Sequence, residues 1–69
     1  MLTQTFRGEI LDCYTMDGPT SKLAYIQHDK ELGKVSVGMY VNLGATIVSS
    51  KSFKSLAGAK RCATKWVNS

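Results

Sequence analysis

Proline, histidine and tryptophan each occur once in these 69 residues, and cysteine only twice. Each scarcity excludes something. One proline beside 43% hydrophobic residues is not the makeup of a disordered chain, which buries too little apolar surface to offset its entropy. No apolar run approaches the roughly 18 residues of a membrane-spanning helix, so no membrane partner is expected. The stretch Met1–Glu9 lacks the basic-then-apolar pattern of a signal peptide, and a cytoplasmic location is expected. Cys13 and Cys62 form no CxxC pair and no ligand cluster surrounds them. They read as reduced, part-buried small hydrophobes, and a bridge between the first strand and the helix would belong to an exported protein.

Catalytic patterns are also missing. There is no phosphate-binding loop, GxSxG or HExxH. His28 lies near Asp29 and Glu31, where a solvated loop histidine is the ordinary reading. Asp12 and Asp17 flank a turn and read as its polar groups. The chain therefore reads as a non-enzyme that calls for no cofactor or metal.

Acid is absent from residues 51–69, and this absence organises the rest. Residues 1–50 hold Arg7, Lys22, Lys30 and Lys34 against Glu9, Asp12, Asp17, Asp29 and Glu31, a net charge of −1. Residues 51–69 hold Lys51, Lys54, Lys60, Arg61 and Lys65, a net charge of +5. The same stretch carries the one convincing helical pattern. Leu56, Ala59, Cys62, Ala63, Trp66 and Val67 recur at three- and four-residue steps, which places them on one helix face. Ser55 is the expected N-cap, with Ser52 as the competing start, and Ser49 to Ser52 read as a strand end leading into the helix. A helix of about twelve residues is marginal alone in water, so the preceding residues must supply an apolar platform.

That platform reads as strands. Thr3 to Thr15 is strand-like, with Gly8 marking a bend or bulge. Met16-Asp17-Gly18-Pro19-Thr20-Ser21 is a turn. Lys22 to His28 is a second strand, followed by the charged loop to Gly33. From Lys34 to Val41, Val35, Val37, Met39 and Val41 alternate with Ser36, Gly38, Tyr40 and Asn42 in a clean period of two. Asn42-Leu43-Gly44 is a short hairpin loop with a positive-φ glycine, and Ala45 to Val48 is the return strand. The expected fold is one α+β domain over residues 1–69, a three- to four-stranded antiparallel meander with one C-terminal helix on one face. A small OB- or SH3-like barrel with an appended helix is the alternative. The expected core is Phe6, Ile10, Val35, Val37, Met39, Val41, Ile47, Phe53, Leu56, Ala59, Ala63 and Trp66.

The segment Tyr40-Val41-Asn42-Leu43-Gly44-Ala45-Thr46-Ile47-Val48-Ser49-Ser50-Lys51-Ser52-Phe53-Lys54-Ser55-Leu56-Ala57-Gly58-Ala59-Lys60 resembles the strand–turn–strand–helix unit of small YegP-like proteins. The resemblance covers this segment and the rest of the helix, and the tandem copy many members carry is not present. It implies a fold more than a function. The architecture is also similar to AP2-type DNA-binding domains and the arm-binding domains of phage-type integrases, in which an open sheet face enters the DNA major groove. The size resembles that of small phage-encoded accessory proteins.

Two surfaces offer chemistry. Lys54, Lys60, Arg61 and Lys65 on the helix can neutralise phosphates, although a solvated helix exterior has the same composition. On the open sheet face, Tyr40, Ser36, Arg7 and Tyr25 form an expected platform, with Gly38 allowing close approach. Such a platform suits base stacking or groove reading, and equally cross-strand packing or a protein interface. The leading expectation is a non-catalytic nucleic-acid-binding accessory protein, for DNA or RNA, using Lys54, Lys60, Arg61, Lys65, Arg7 and Tyr40. The competing expectation is a module that binds and modulates a protein partner, as a monomer or weak homodimer.

Overall fold

The computed structural model describes residues 2–69. Among them, β1 (Leu2–Arg7), β2 (Leu11–Asp17), β3 (Leu23–Asp29), β4 (Lys34–Val41) and β5 (Thr46–Phe53) precede α1 (Leu56–Val67). The strands form one antiparallel sheet in the order β1-β2-β3-β4-β5. The class is α+β, as the sequence predicts. The strand count is five rather than three or four. The sheet is open, with β1 and β5 as its two edges, so the barrel alternative is set aside.

The extra strand arises at Gly8. Thr3 to Thr15 is not one bent strand but two strands joined at Gly8-Glu9-Ile10. Gly8 N–H donates to the Leu11 carbonyl at 2.8 Å and lies 3.3 Å from Asp12 Oδ1. Lys30 crosses from the β3–β4 turn to close this corner. Its Nζ donates to the Gly8 carbonyl at 2.9 Å and pairs with Asp12 Oδ2 at 3.1 Å, while its backbone N–H donates to the Ile10 carbonyl. Asp12 thus acts as a turn polar group, as predicted, but for the reversal before it.

One face of the sheet carries the core. Val35, Val37 and Met39 alternate inward from β4, beside Ala24 and Ile26 of β3 and Met16 of β2. From α1, Ala59, Ala63 and Val67 descend on this layer at four-residue steps. Phe53, Leu56 and Trp66 are partly buried around it. Ala59 and Ala63 bring the helix axis close to Ala24 and Ile26. Ser55 is the N-cap, its hydroxyl accepting from Gly58 N–H at 3.2 Å.

Three expected core residues are exposed, and the cause is physical. Thr5 has no partner in the β1–β2 register, where Gln4 pairs with Tyr14 and Phe6 with Cys13. Val48 is likewise skipped in β5, where Ile47 pairs with Tyr40 and Ser49 with Met39. Each bulge reverses the face parity between the residues before it and those after it. Phe6 and Ile47 therefore stand on the open face, 54% and 56% exposed. Ile10 lies in the β1–β2 turn and is also exposed. The serines that read as a helix approach, Ser49 to Ser52, continue β5 instead. Val41 is only half-buried. Met16, Ala24, Ile26 and Val67 complete the core although the sequence pattern did not single them out.

Candidate nucleic-acid interface

β5 and α1 are joined by Lys54 and Ser55 alone, so the five basic residues of 51–69 are held on one strand–helix unit. The cap at Ser55 fixes the phase of the helix and hence where each cation projects. Lys65 and Lys51 rim a groove of about 420 Å³ between α1 and β5, whose floor includes Met39, Phe53, Cys62 and Trp66. Arg61 is exposed and its guanidinium lies against Gly58, 3.8 Å from where a Cβ would stand. Lys54 is exposed at the β5–α1 junction. Lys60 projects to the opposite flank, with Nζ 5.7 Å from the centre of the Tyr14 ring. Among the described residues, none of these five cations has a carboxylate partner. The ion pair of Lys30 with Asp12 lies at the turn end of the sheet.

Lys54, Arg61 and Lys65 lie on one strand–helix unit, and Lys65 shares its groove with Lys51, a cation the sequence counts in its charge balance but does not place in a site. Lys60 borders this group across the helix. Arg7 and Tyr40 lie elsewhere. Arg7 ends β1, the opposite edge of the sheet from β5, four strand spacings or about 19 Å away. Its register partner is Asp12, on the helix-covered side, so it does not share the open face with Tyr40.

Tyr40, Tyr25, Ser36 and Gly38 do share that open face. The Tyr40 ring leans over Gly38, where a Cβ would come within 2.7 Å of it. It meets Tyr25 edge to face, with centroids 4.8 Å apart and planes at 79°. The two rings border a shallow groove of about 350 Å³ lined by both polar residues such as Gln27, Ser36 and Ser50 and apolar ones such as Ile47, with no Lys or Arg. The tyrosine pair and the groove rimmed by Lys51 and Lys65 therefore lie on opposite faces.

Lys22 is a further cation that sequence spacing could not place. It reaches from the β2–β3 connection to the end of α1, where Nζ donates to Ser69 Oγ at 2.8 Å and to the Ser69 carbonyl at 3.0 Å and sits 4.6 Å from the Trp66 ring centre. The Trp66 indole N–H in turn is shared between the carbonyls of Leu23 and Tyr40, at 3.1 and 3.2 Å.

The remaining chemical candidates are dispersed. His28 lies inside β3, half-buried, in register with Asp12 and Val35, and not in a solvated loop. Cys13 lines the open-face groove and Cys62 the helix-side groove, so the sheet separates the two free thiols and no bridge joins them. Among the described residues no three His, Cys, Asp or Glu side chains group as metal ligands, and no helix is long and apolar enough to cross a membrane. No family model, curated protein or solved structure matches this chain.

Proposed function

We propose that the protein is a non-catalytic nucleic-acid-binding module that engages phosphates through its β5–α1 surface. The observation that carries this reading is the set Lys51, Lys54, Arg61 and Lys65, held on one unit with no carboxylate partner among the described residues. Each phosphate these cations neutralise releases condensed counterions. Lys60 extends the positive surface around the helix. The AP2-like mode would instead press the open sheet face into the major groove. The uncharged lining around Tyr25 and Tyr40 disfavours that mode, because phosphate contacts are what position a groove reader.

The test is binding of labelled duplex DNA, single-stranded DNA and RNA, measured by anisotropy at about 50 and 200 mM salt. The reading expects affinity to fall steeply with salt and to be lost when Lys54, Arg61 and Lys65 are replaced by Ala. Absence of binding at the lower salt overturns it.

The open face favours a second reading. Ile47 stands exposed in register with Tyr40, next to the tyrosine pair, and aromatic and apolar side chains are what protein interfaces use. Under this reading Tyr40→Ala abolishes capture of a protein partner, and the salt slope for nucleic acid is unaffected.

A further inference from the structure

We infer that the groove between β5 and α1 seats an unpaired nucleobase, with Lys51 and Lys65 on its flanking phosphates, so that single strands are bound in preference to duplexes. This inference rests on the nucleic-acid reading above and assigns it a site and a strand preference.

The groove joins an apolar surface and a cationic one. Its floor is apolar and partly aromatic, formed by Met39, Phe53, Cys62 and Trp66, and its rim carries two ammonium groups. A flat apolar body with anionic charge on either side is the complementary shape and charge. An unpaired base within a phosphodiester chain has that form. A paired base does not, because its faces are stacked within the duplex and only its edges are offered. The floor is also rigid. Trp66 is tethered by its indole N–H to Leu23 and Tyr40 and covered on one side by Lys22. Phe53 is held in the ladder opposite Val35. Fixed aromatic platforms lose little freedom on binding. The β5 side of the groove is low, because Ser49 and Lys51 are exposed although they share the helix-covered face. A strand can therefore run along β5 past the groove.

Trp66 is the sole tryptophan, so its emission reports the groove directly. The experiment titrates the full chain with a thymidine oligonucleotide and with a duplex of equal length at about 50 mM salt, reading Trp66 emission and anisotropy of labelled DNA. The expected result is quenching of Trp66 by the single strand and about tenfold tighter binding than the duplex, the scale of one stacked base. Cys62→Leu, which fills the floor, should bring single-strand affinity down to that of the duplex and leave duplex affinity unchanged. If its far-UV circular dichroism shows misfolding, Phe53→Leu keeps an apolar side chain and removes one of the two floor rings, and single-strand affinity should fall toward that of the duplex. Equal affinity for both nucleic acids, or single-strand binding without a change in Trp66 emission, overturns the groove while leaving the phosphate-binding surface in place. Failure of both to bind overturns the two together.

Discussion

Asp12 is the buried ionisable residue among those described, and its partner comes from another turn. Its carboxylate holds the Gly8 corner and the Lys30 ammonium, which itself caps the Gly8 carbonyl. Removing one side of such a pair leaves a desolvated charge, whereas a solvated side chain beside it contributes almost nothing. Lys30→Ala should therefore lower stability by about 1–3 kcal/mol, and Glu31→Ala, one residue along and exposed, by less than about 0.5 kcal/mol. Urea unfolding distinguishes them. Gly18 is a second single-residue determinant. A Cβ there would stand 2.4 Å from the Val67 carbonyl oxygen, so the turn packs directly on the end of the helix. Gly18→Ala should cost about 1–3 kcal/mol through displaced helix backbone. Gly33, by contrast, has φ +65° and open space around it. Gly33→Ala meets only the left-handed strain of about 1–2 kcal/mol. The Asp-Gly turn was legible from its residue types. The contact that demands glycine at position 18 was not, because it joins residues 49 positions apart in the chain.

Among the elements, α1 and β4 are the most local in origin and were the most legible. β4 runs from Lys34 to Val41 as its alternation predicts, and α1 begins at the predicted cap. Ser55→Ala should cost about 1 kcal/mol by leaving a first-turn N–H without its acceptor, read as a lowered urea midpoint at unchanged slope. Because Ala63 is fully buried over the sheet, Ala63→Leu should overpack the layer and destabilise by about 1–3 kcal/mol or more. The edge strands were the least legible. Both carry a bulge, at Thr5 and at Val48, and period-two reasoning fails at a residue that occupies a position without a partner. The mistaken burial of Phe6 and Ile47 has this one origin. The bulges also interrupt the hydrogen-bonding edge on each side of an open sheet, a recognised protection against edge-to-edge association.

For the molecule as a whole, the meander separates surfaces by chemistry. The helix side gathers Lys51, Lys54, Lys60, Arg61 and Lys65. The open side holds the tyrosine pair and no cation within its groove. The charge imbalance of residues 51–69 was legible from the sequence, since a short strand–helix unit keeps its charges near one another. The grouping of Arg7 and Tyr40 with them was not, because strand order and register decide which face and edge each occupies. Four engaged cations on duplex DNA should give a slope of about −3 to −4 in log affinity against log salt. Replacing Arg61 alone should reduce its magnitude by about one.

Backbone amide chemical-shift mapping with a short oligonucleotide tests the central claim most directly, because it reports both faces in one sample. The account predicts perturbation along Lys51 to Ser55 and through Arg61 to Trp66, with Tyr25, Ser36 and Gly38 unmoved. Perturbation concentrated at Tyr25, Ser36 and Gly38, with the β5–α1 amides unmoved, would contradict it and place binding on the open sheet face.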